Sequence, residues 1–286
     1  MKNVEDKVAF ITGGASGIGR AMARSFAGAG MKVVVCDIEE SALEDFREEF
    51  KGSNAEVLAI QADVTDRDSM EAAANAAEER FGKVHVLCNN AGVAVTGPVD
   101  TMSYKDWDWV LDVNLNGVVN GIVTFLDRIK AHGEGGHIVN TSSMAGQVGI
   151  RGMSVYNASK FAVLGMSESM ALELSEHNIG VSALCPGLVN TNIFTSERNR
   201  PDEFGGPEAS GELIPNPDDE SDRSLDELLR TSLDPSAVGD MVLHAIQNDE
   251  FYIFTHPEFI SLLEGRGEML RTSFDRWSEY VKNRSS

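Results

Sequence analysis

Short runs of apolar, β-branched residues alternate along the chain with longer stretches whose apolar positions recur every three to four residues. The short runs predict strands at residues 8–12, 32–37, 56–61, 84–89, 137–142, 181–185 and 251–255. Apolar residues follow one another within them without a polar alternate face, the pattern of parallel strands covered on both sides. The longer periods predict helices at residues 18–29, 41–50, 69–81, 104–129, 154–177 and 235–248. Strand and helix in alternation imply an α/β fold, a doubly wound parallel sheet of seven strands. A single domain over residues 1–286 is expected.

Two segments depart from this rhythm. Residues 192–230 hold Pro201, Pro207, Pro215 and Pro217, several glycines and many carboxylates, and read as a long loop insertion after the sixth strand. A loop of that length inside a compact domain is functional or disordered. Residues 257–286 form a helical C-terminal extension, in which Met269, Phe274, Trp277 and Tyr280 would make an apolar face; the alternative is a solvated tail with scattered aromatics.

Composition narrows the partners. The chain carries a net charge of −21, so neither nucleic acid nor an anionic membrane surface is an expected partner. No apolar run approaches the ~20 residues that span a bilayer, and the charged first seven residues lead straight into a strand, so no signal peptide is expected. Cys36, Cys88 and Cys185 lie in or at the end of apolar runs, as reduced core residues would. The six histidines show no metal-ligand spacing. A cytoplasmic protein without a metal is the expectation.

Candidate chemistry begins after the first strand, at Thr12-Gly13-Gly14-Ala15-Ser16-Gly17-Ile18-Gly19. Its place between strand and helix matters more than its glycines. Glycine permits a tight turn and lets the backbone approach a pyrophosphate, while the helix N-terminus offers N–H donors and a partial positive charge. Gly13, Ser16, Gly17, Ile18 and Gly19 are the candidate contacts. The second strand ends at Asp37, where a carboxylate can accept both adenosine ribose hydroxyls and repel a 2′-phosphate. NAD is therefore favoured over NADP. Asp37 could equally cap the following helix. Asp63 and Val64 after the third strand, with Asn90, Ala91 and Gly92 after the fourth, fall on the same sheet edge and read as adenine and ribose walls.

With Asn114, Ser143, Tyr156-x-x-x-Lys160 and Pro186-Gly187 added in order, residues 7 to about 191 resemble the short-chain dehydrogenase/reductase family, whose fold is of Rossmann type. Each element alone is common; the ordered set is specific. Tyr156 and Lys160, four residues apart, share a helix face. A free tyrosine has a pKa of about 10, and a nearby ammonium brings it toward the working pH. The resemblance implies that Tyr156 is the acid/base and that Lys160 also binds the nicotinamide ribose. Ser143, thirteen residues before Tyr156, would donate a hydrogen bond to the substrate oxygen; Ser142 is the competing hydroxyl. Asn114 would hold a water behind Lys160, and Pro186, Gly187, Val189 and Thr191 would hold the nicotinamide end.

The expected reaction is hydride transfer between NAD and a secondary alcohol or ketone. Val93–Val95, Met144, Gln147, Val148, Met153, Leu188 and the loop after Thr191, with Phe194 as a lid residue, would form a mostly apolar mouth, suited to a bulky hydrophobic or aryl substrate. A looser resemblance, carried by the insertion, the tail and the 106–121 region, is to aryl-alcohol Cα-dehydrogenases. Two other functions compete. A carrier-protein 3-ketoacyl reductase would favour NADPH and a basic docking patch, which Asp37 and the acidic composition oppose. A non-catalytic NAD sensor or scaffold would have lost some of the four catalytic positions, all filled here. A homodimer or homotetramer is expected, a dimer forming through the helices near 104–129 and 154–177.

Overall fold

Runs such as Val33-Val34-Val35-Cys36 must be shielded on both faces, and in the computed structural model they are. The structure describes residues 1–207 and 232–284. Seven strands, β1 (Val8–Thr12), β2 (Lys32–Asp37), β3 (Val57–Gln61), β4 (Val86–Asn89), β5 (Gly136–Thr141), β6 (Ile179–Cys185) and β7 (Tyr252–Phe254), form one sheet in the order β3-β2-β1-β4-β5-β6-β7. Every neighbouring pair is parallel, with Ile11 beside Val35 on one side and Cys88 on the other. Strand order reverses between β1 and β4, and in such sheets the crevice at the carboxyl ends of the strands flanking that reversal takes the ligand.

Two apolar layers sandwich the sheet. One joins Met22, Phe26, Val35, Leu43, Phe46 and Val242; the other joins Phe10, Val34, Met70, Phe125, Ile129 and Ile138. The helices are α1 (Gly17–Gly28), α2 (Glu40–Phe50), α3 (Arg67–Phe81), α4 (Tyr104–Leu111), α5 (Gly117–His132), α6 (Ser154–Leu174), α7 (Pro235–Asn248) and α8 (Ile260–Arg284). Residues Met1–Thr255 make one compact unit; His256–Ser286, with α8, make a second.

Predicted and observed elements differ most in two places. The helix expected over 104–129 is interrupted by a π turn at Asp112–Asn116. The extra residue turns Asn114 inward, and Gly117 then lies so close to β3's continuation that a Cβ would meet Val64 Cγ2 at 2.7 Å. The helical run Tyr104–His132 is also long and apolar enough to cross a membrane by composition, although no such span is legible in the sequence. Phe125 and Ile129 on it are buried in the second apolar layer, as in a core helix. Finally, the described part of the expected 192–230 loop is not irregular: Asn192–Asn199 and Asp202–Phe204 are 3-10 turns. Residues 208–231 of that segment lie outside the described residues.

Far from the carboxyl edge, His137 at the start of β5 is fully buried. Ser182 Oγ donates to Glu250 O (2.6 Å) and so accepts from His137 Nε2 (2.8 Å). Nδ1 is left as the unprotonated nitrogen, without a hydrogen-bond partner. Burial pushes the imidazole down to about 4. Its ordinary value is about 6.5, so between these limits the unfolded chain binds the proton and the folded chain does not. Stability is thus expected to fall as pH drops from 6.5 to 4, by up to about 3 kcal/mol from this group. Urea unfolding across that range measures the slope, and His137→Gln should flatten it.

Candidate active site

At the end of β1 the chain turns through Gly13 (φ +58°) and Gly17 (φ +50°), left-handed conformations that favour glycine. A Cβ on Gly19 would sit 2.1 Å from Gly13 O. Asn90 braces this turn: its Nδ2 donates to Thr12 O (3.0 Å) and Gly13 O (3.1 Å), and its N–H to Thr12 Oγ1 (2.9 Å). The Asn90 side chain is therefore a strut of the cradle. Ser16 precedes α1 without a side-chain cap, and no acidic residue occupies the first turn. The N–H groups and positive dipole end of α1 are left to an anion. A cavity of about 240 Å³ opens beside this loop, lined by Gly17, Arg20, Arg24, Thr191 and Ser236.

Asp37 closes β2 at the rim of the crevice. Its Oδ2 accepts Ala15 N–H (3.1 Å) and its Oδ1 accepts Glu39 N–H (3.2 Å). Burial raises the carboxyl above the ordinary range, against the pull of those N–H groups. Its side chain does not cap α2 in the usual way, since Glu39 is the N-cap residue. Asp63 Oδ1 accepts the N–H (2.9 Å) and hydroxyl (2.8 Å) of Thr65, and the buried Val64 accepts from Asn120 Nδ2 through its carbonyl (2.8 Å).

The second group of candidates converges from β5, α6 and the π turn. Lys160 is buried, its Nζ donating to Thr141 O (2.8 Å) and lying 5.5 Å from the Tyr156 ring centroid. Ser142 is buried and spends its hydroxyl on Lys160 O (2.9 Å), tying β5 to α6. Ser143 Oγ donates to Pro186 O (3.4 Å), accepts Ala145 N–H (3.0 Å) and stands near enough to the Tyr156 phenol to favour its ionised form. Of the two serines, Ser142 is the one whose hydroxyl is taken up by the main chain of α6. Burial pushes the Tyr156 phenol up to about 12, with Ser143 pulling the other way, and pushes Lys160 down to about 8.

Asn114 is fully buried and its side chain is fully committed. Oδ1 accepts Val93 N–H (2.8 Å), while Nδ2 donates to Val93 O (2.9 Å) and Ser159 Oγ (3.1 Å). It stands near Lys160: a Cβ on Gly92 would meet Asn114 Oδ1 at 3.3 Å and Lys160 Nζ at 3.5 Å. The expected water contact would therefore fall to its main chain, at a turn where the helical ladder is widened.

Past β6, Pro186 O accepts Met144 N–H (2.9 Å) and Gly187 N–H donates to Thr255 Oγ1 (3.0 Å). Asn190 N donates to Leu233 O and Leu233 N to Leu188 O, each at 3.0 Å, in a parallel bridge centred on Val189. That geometry turns the N–H and carbonyl of buried Val189 to the opposite side, where no hydrogen bond among the described residues uses them. A donor and an acceptor side by side suit a carboxamide. Thr191 lies against the glycine turn, 3.0 Å from where a Gly17 Cβ would stand.

Of the expected substrate contacts, Val148, Met153 and Phe194 are half-buried and Met144 is buried. Val93 and Val95, expected at the mouth, are buried and pack with Trp109, Val110 and Val155 in a small apolar cluster.

Three anchors of the 192–204 segment were not legible in the sequence. Ser196 Oγ accepts Ala94 N–H (3.0 Å) and donates to Ala94 O (3.3 Å). Arg198 forks onto Glu39 (Nη2–Oε1 2.5 Å), which also accepts from Asn199 Nδ2 (2.8 Å) and is held well below the ordinary carboxylate range, chiefly by Arg198. Arg200 is buried against Trp109 and pairs with Asp106 (2.6 Å). The segment leaves β6 and reaches the end of β2, crossing the crevice. Two arginines in an acidic chain were its one sequence signal.

Residues 7–202 match the family model for short chain dehydrogenase. The chain is 35% identical over 283 residues to a CLA biosynthesis dehydrogenase/reductase of Lactiplantibacillus plantarum, covering 95% of this chain and 96% of the relative. It is 37% identical over 265 residues to a C alpha-dehydrogenase of a Sphingobium species, covering 92% and 85%. A short-chain dehydrogenase/reductase of Burkholderia phymatum, crystallised in complex with NAD, superposes with a TM-score of 0.87 at 38% identity, covering 96% of this chain and 97% of that one. LigO in its apo form, from Sphingobium sp. strain SYK-6, superposes with a TM-score of 0.81 at 35% identity, covering 97% and 92%. With the ordered motifs, the parallel sheet and the Ser143–Tyr156–Lys160 cluster all in place, the chain belongs to the short-chain dehydrogenase family.

Proposed function

We propose that this chain transfers a hydride between NAD and a secondary alcohol or ketone, with Tyr156 as acid/base. The observation that carries the reading is Tyr156 set beside Ser143 and backed by the buried Lys160, on the same sheet edge as a glycine cradle that ends at Asp37. NAD, when bound, accepts or returns the hydride and in its oxidised form adds positive charge beside the phenol.

The residues divide the remaining work. Tyr156 takes the hydroxyl proton in the oxidation direction and returns it in reduction. Ser143 holds the substrate oxygen, most strongly as negative charge develops there. Lys160 favours the phenolate by its charge and contacts the nicotinamide ribose, and Asn114 supports a proton path behind it. The uncapped N-terminus of α1, with Gly13, Ser16, Gly17, Ile18 and Gly19, receives the pyrophosphate. Asp37 binds the adenosine ribose, Asp63 and Val64 the adenine, and Asn90, Ala91 and Gly92 wall the ribose. Pro186, Gly187, Val189 and Thr191 fix the nicotinamide end, Val189 through its unused N–H and carbonyl.

A bulky hydrophobic or aryl substrate suits the apolar side chains Met144, Val148, Met153 and Phe194, which this reading assigns to the substrate mouth. The likeness to a C alpha-dehydrogenase and to LigO points the same way. Homo-oligomers through the exposed apolar side chains Tyr104, Val123 and Leu172, on the helices at 104–132 and 154–174, and a cytoplasmic location complete the reading. A panel of aryl and aliphatic secondary alcohols, followed by cofactor absorbance with NAD and NADP in parallel, tests it. Reduction of NAD by an aryl alcohol, well above that of NADP, is the expected result. Tight NAD binding with no turnover across the panel would overturn it in favour of a sensor.

A further inference from the structure

Helix α8 is 25 residues long and contains no buried residue. Half of the large exposed hydrophobics among the described residues lie on it, including Phe274 (73% exposed) and Trp277 (61%). Five of these eight, Ile260, Leu270, Phe274, Trp277 and Val281, fall with half-buried Leu263 and with Gly267 at alternating intervals of three and four, the repeat that keeps one stripe facing a second helix along a coiled-coil seam; Leu262, Met269 and Tyr280 lie off the stripe. At about 1.5 Å per residue the stripe runs roughly 33 Å. A helix with such a face depends on packing for most of its stability.

We propose that α8 is a self-association element that pairs antiparallel with α8 of a second copy of this chain. Side-chain size selects the orientation. About a centre at residue 272, antiparallel pairing sets Gly267 opposite Trp277 of the second copy, Leu270 opposite Phe274, and Leu263 opposite Val281. The largest side chain of the seam meets the gap left by its glycine. Parallel pairing would put Gly267 on Gly267 and Trp277 on Trp277, one layer empty and another overfilled. Arg266 and Tyr280 flank the antiparallel seam on the same side, where a guanidinium can cover an aromatic ring.

Charge favours the same partner. The helix carries four acidic and five basic side chains in a chain of net −21, so two copies can approach here with little of the repulsion felt between whole chains. Pairing covers six aromatic rings, at about 150–250 Å² each when fully buried, together with the aliphatic seam. That brings the area into the roughly 1,200–2,000 Å² range of specific interfaces. The interface is isologous, as a twofold dimer requires.

Full-length variants test the pairing independently of catalysis. The native thiols, Cys36, Cys88 and Cys185, are all buried, so an introduced cysteine reports alone. Ser273→Cys, close to the twofold axis beside the seam, should form an intermolecular disulfide under mild oxidation; Thr272→Cys, on the outward face, should not. The double variant Phe274→Asp/Trp277→Asp should halve the mass measured by light scattering while NAD binding is unchanged. Equal cross-linking at 272 and 273, or an unaltered mass in the double variant, would overturn the proposal. So would association of the wild-type chain with neutral or anionic vesicles that the double variant abolishes without a change of mass.

Discussion

Tyr156→Phe is expected to lower kcat for alcohol oxidation by roughly 10²–10⁴-fold, the range that one positioned acid/base group contributes, while NAD affinity and melting temperature stay near wild type. The substitution removes one oxygen and leaves the ring in place against Lys160. What is lost is the proton acceptor, so the deficit belongs to kcat rather than to KM. Titration separates this from a packing defect. Without ligands the phenol is pushed up to about 12 and the neighbouring ammonium down to about 8, both by burial. The two groups lie close enough to titrate as a pair, with apparent values that belong to both. Oxidation needs the phenolate and should quicken as pH rises from neutrality; reduction needs the phenol and should slow. Lys160→Met should move the rising limb to higher pH as well as lower its plateau, because the charge that favours phenolate is gone. Steady-state rates in both directions from pH 6 to 10 check each limb. A Tyr156→Phe enzyme that keeps its rate, or whose rate retains the wild-type pH limb, would remove Tyr156 from the chemistry.

The sheet was legible because burial on both faces leaves an uninterrupted apolar signature, and β1 and β2 have the bounds that signature predicts. The set of Ser143, Tyr156 and Lys160 was legible through the family resemblance, whose spacing the three residues share; helical periodicity alone places only Tyr156 and Lys160 on one face. Long-range choices were not. Ser142 and Ser143 differ only in which one Lys160 O captures, and that requires α6 to be docked on β5. The π turn at Asn114 carries no periodicity signal, since one added residue is invisible in an apolar pattern that continues on both sides. Asn90 reads equally well as a cofactor contact or a strut until Thr12 O and Gly13 O are placed beside it. The ion pairs Arg198–Glu39 and Arg200–Asp106 join residues 159 and 94 positions apart. No local pattern encodes such partners, because charge complementarity acts only once the fold has brought them together.

Asp37→Ala is expected to lower kcat/KM for NAD by roughly 10–100-fold, the loss of charged hydrogen bonds worth about 1.5–3 kcal/mol. It should also narrow the preference for NAD over NADP, since a 2′-phosphate no longer meets a carboxylate. Glu39 sets how far that preference can move. Its carboxylate is held by Arg198 and Asn199 just two residues beyond Asp37, so the Arg198 guanidinium is already neutralised. Glu39→Gln in the Asp37→Ala background leaves Arg198 unpaired at the rim, where a phosphate dianion is a better partner than an amide. NADP turnover should then rise by a further order of magnitude or so, whereas Glu39→Gln alone, with Asp37 still repelling the phosphate, should change the preference little. The pH dependence provides a second check. Burial raises the Asp37 carboxyl, so lowering the pH neutralises it sooner than an exposed carboxylate, and NAD affinity should weaken over that interval. Asp37→Asn should bind NAD more weakly at neutral pH and lose that dependence on pH. An unchanged dependence in Asp37→Asn would assign the ribose to another group on the rim.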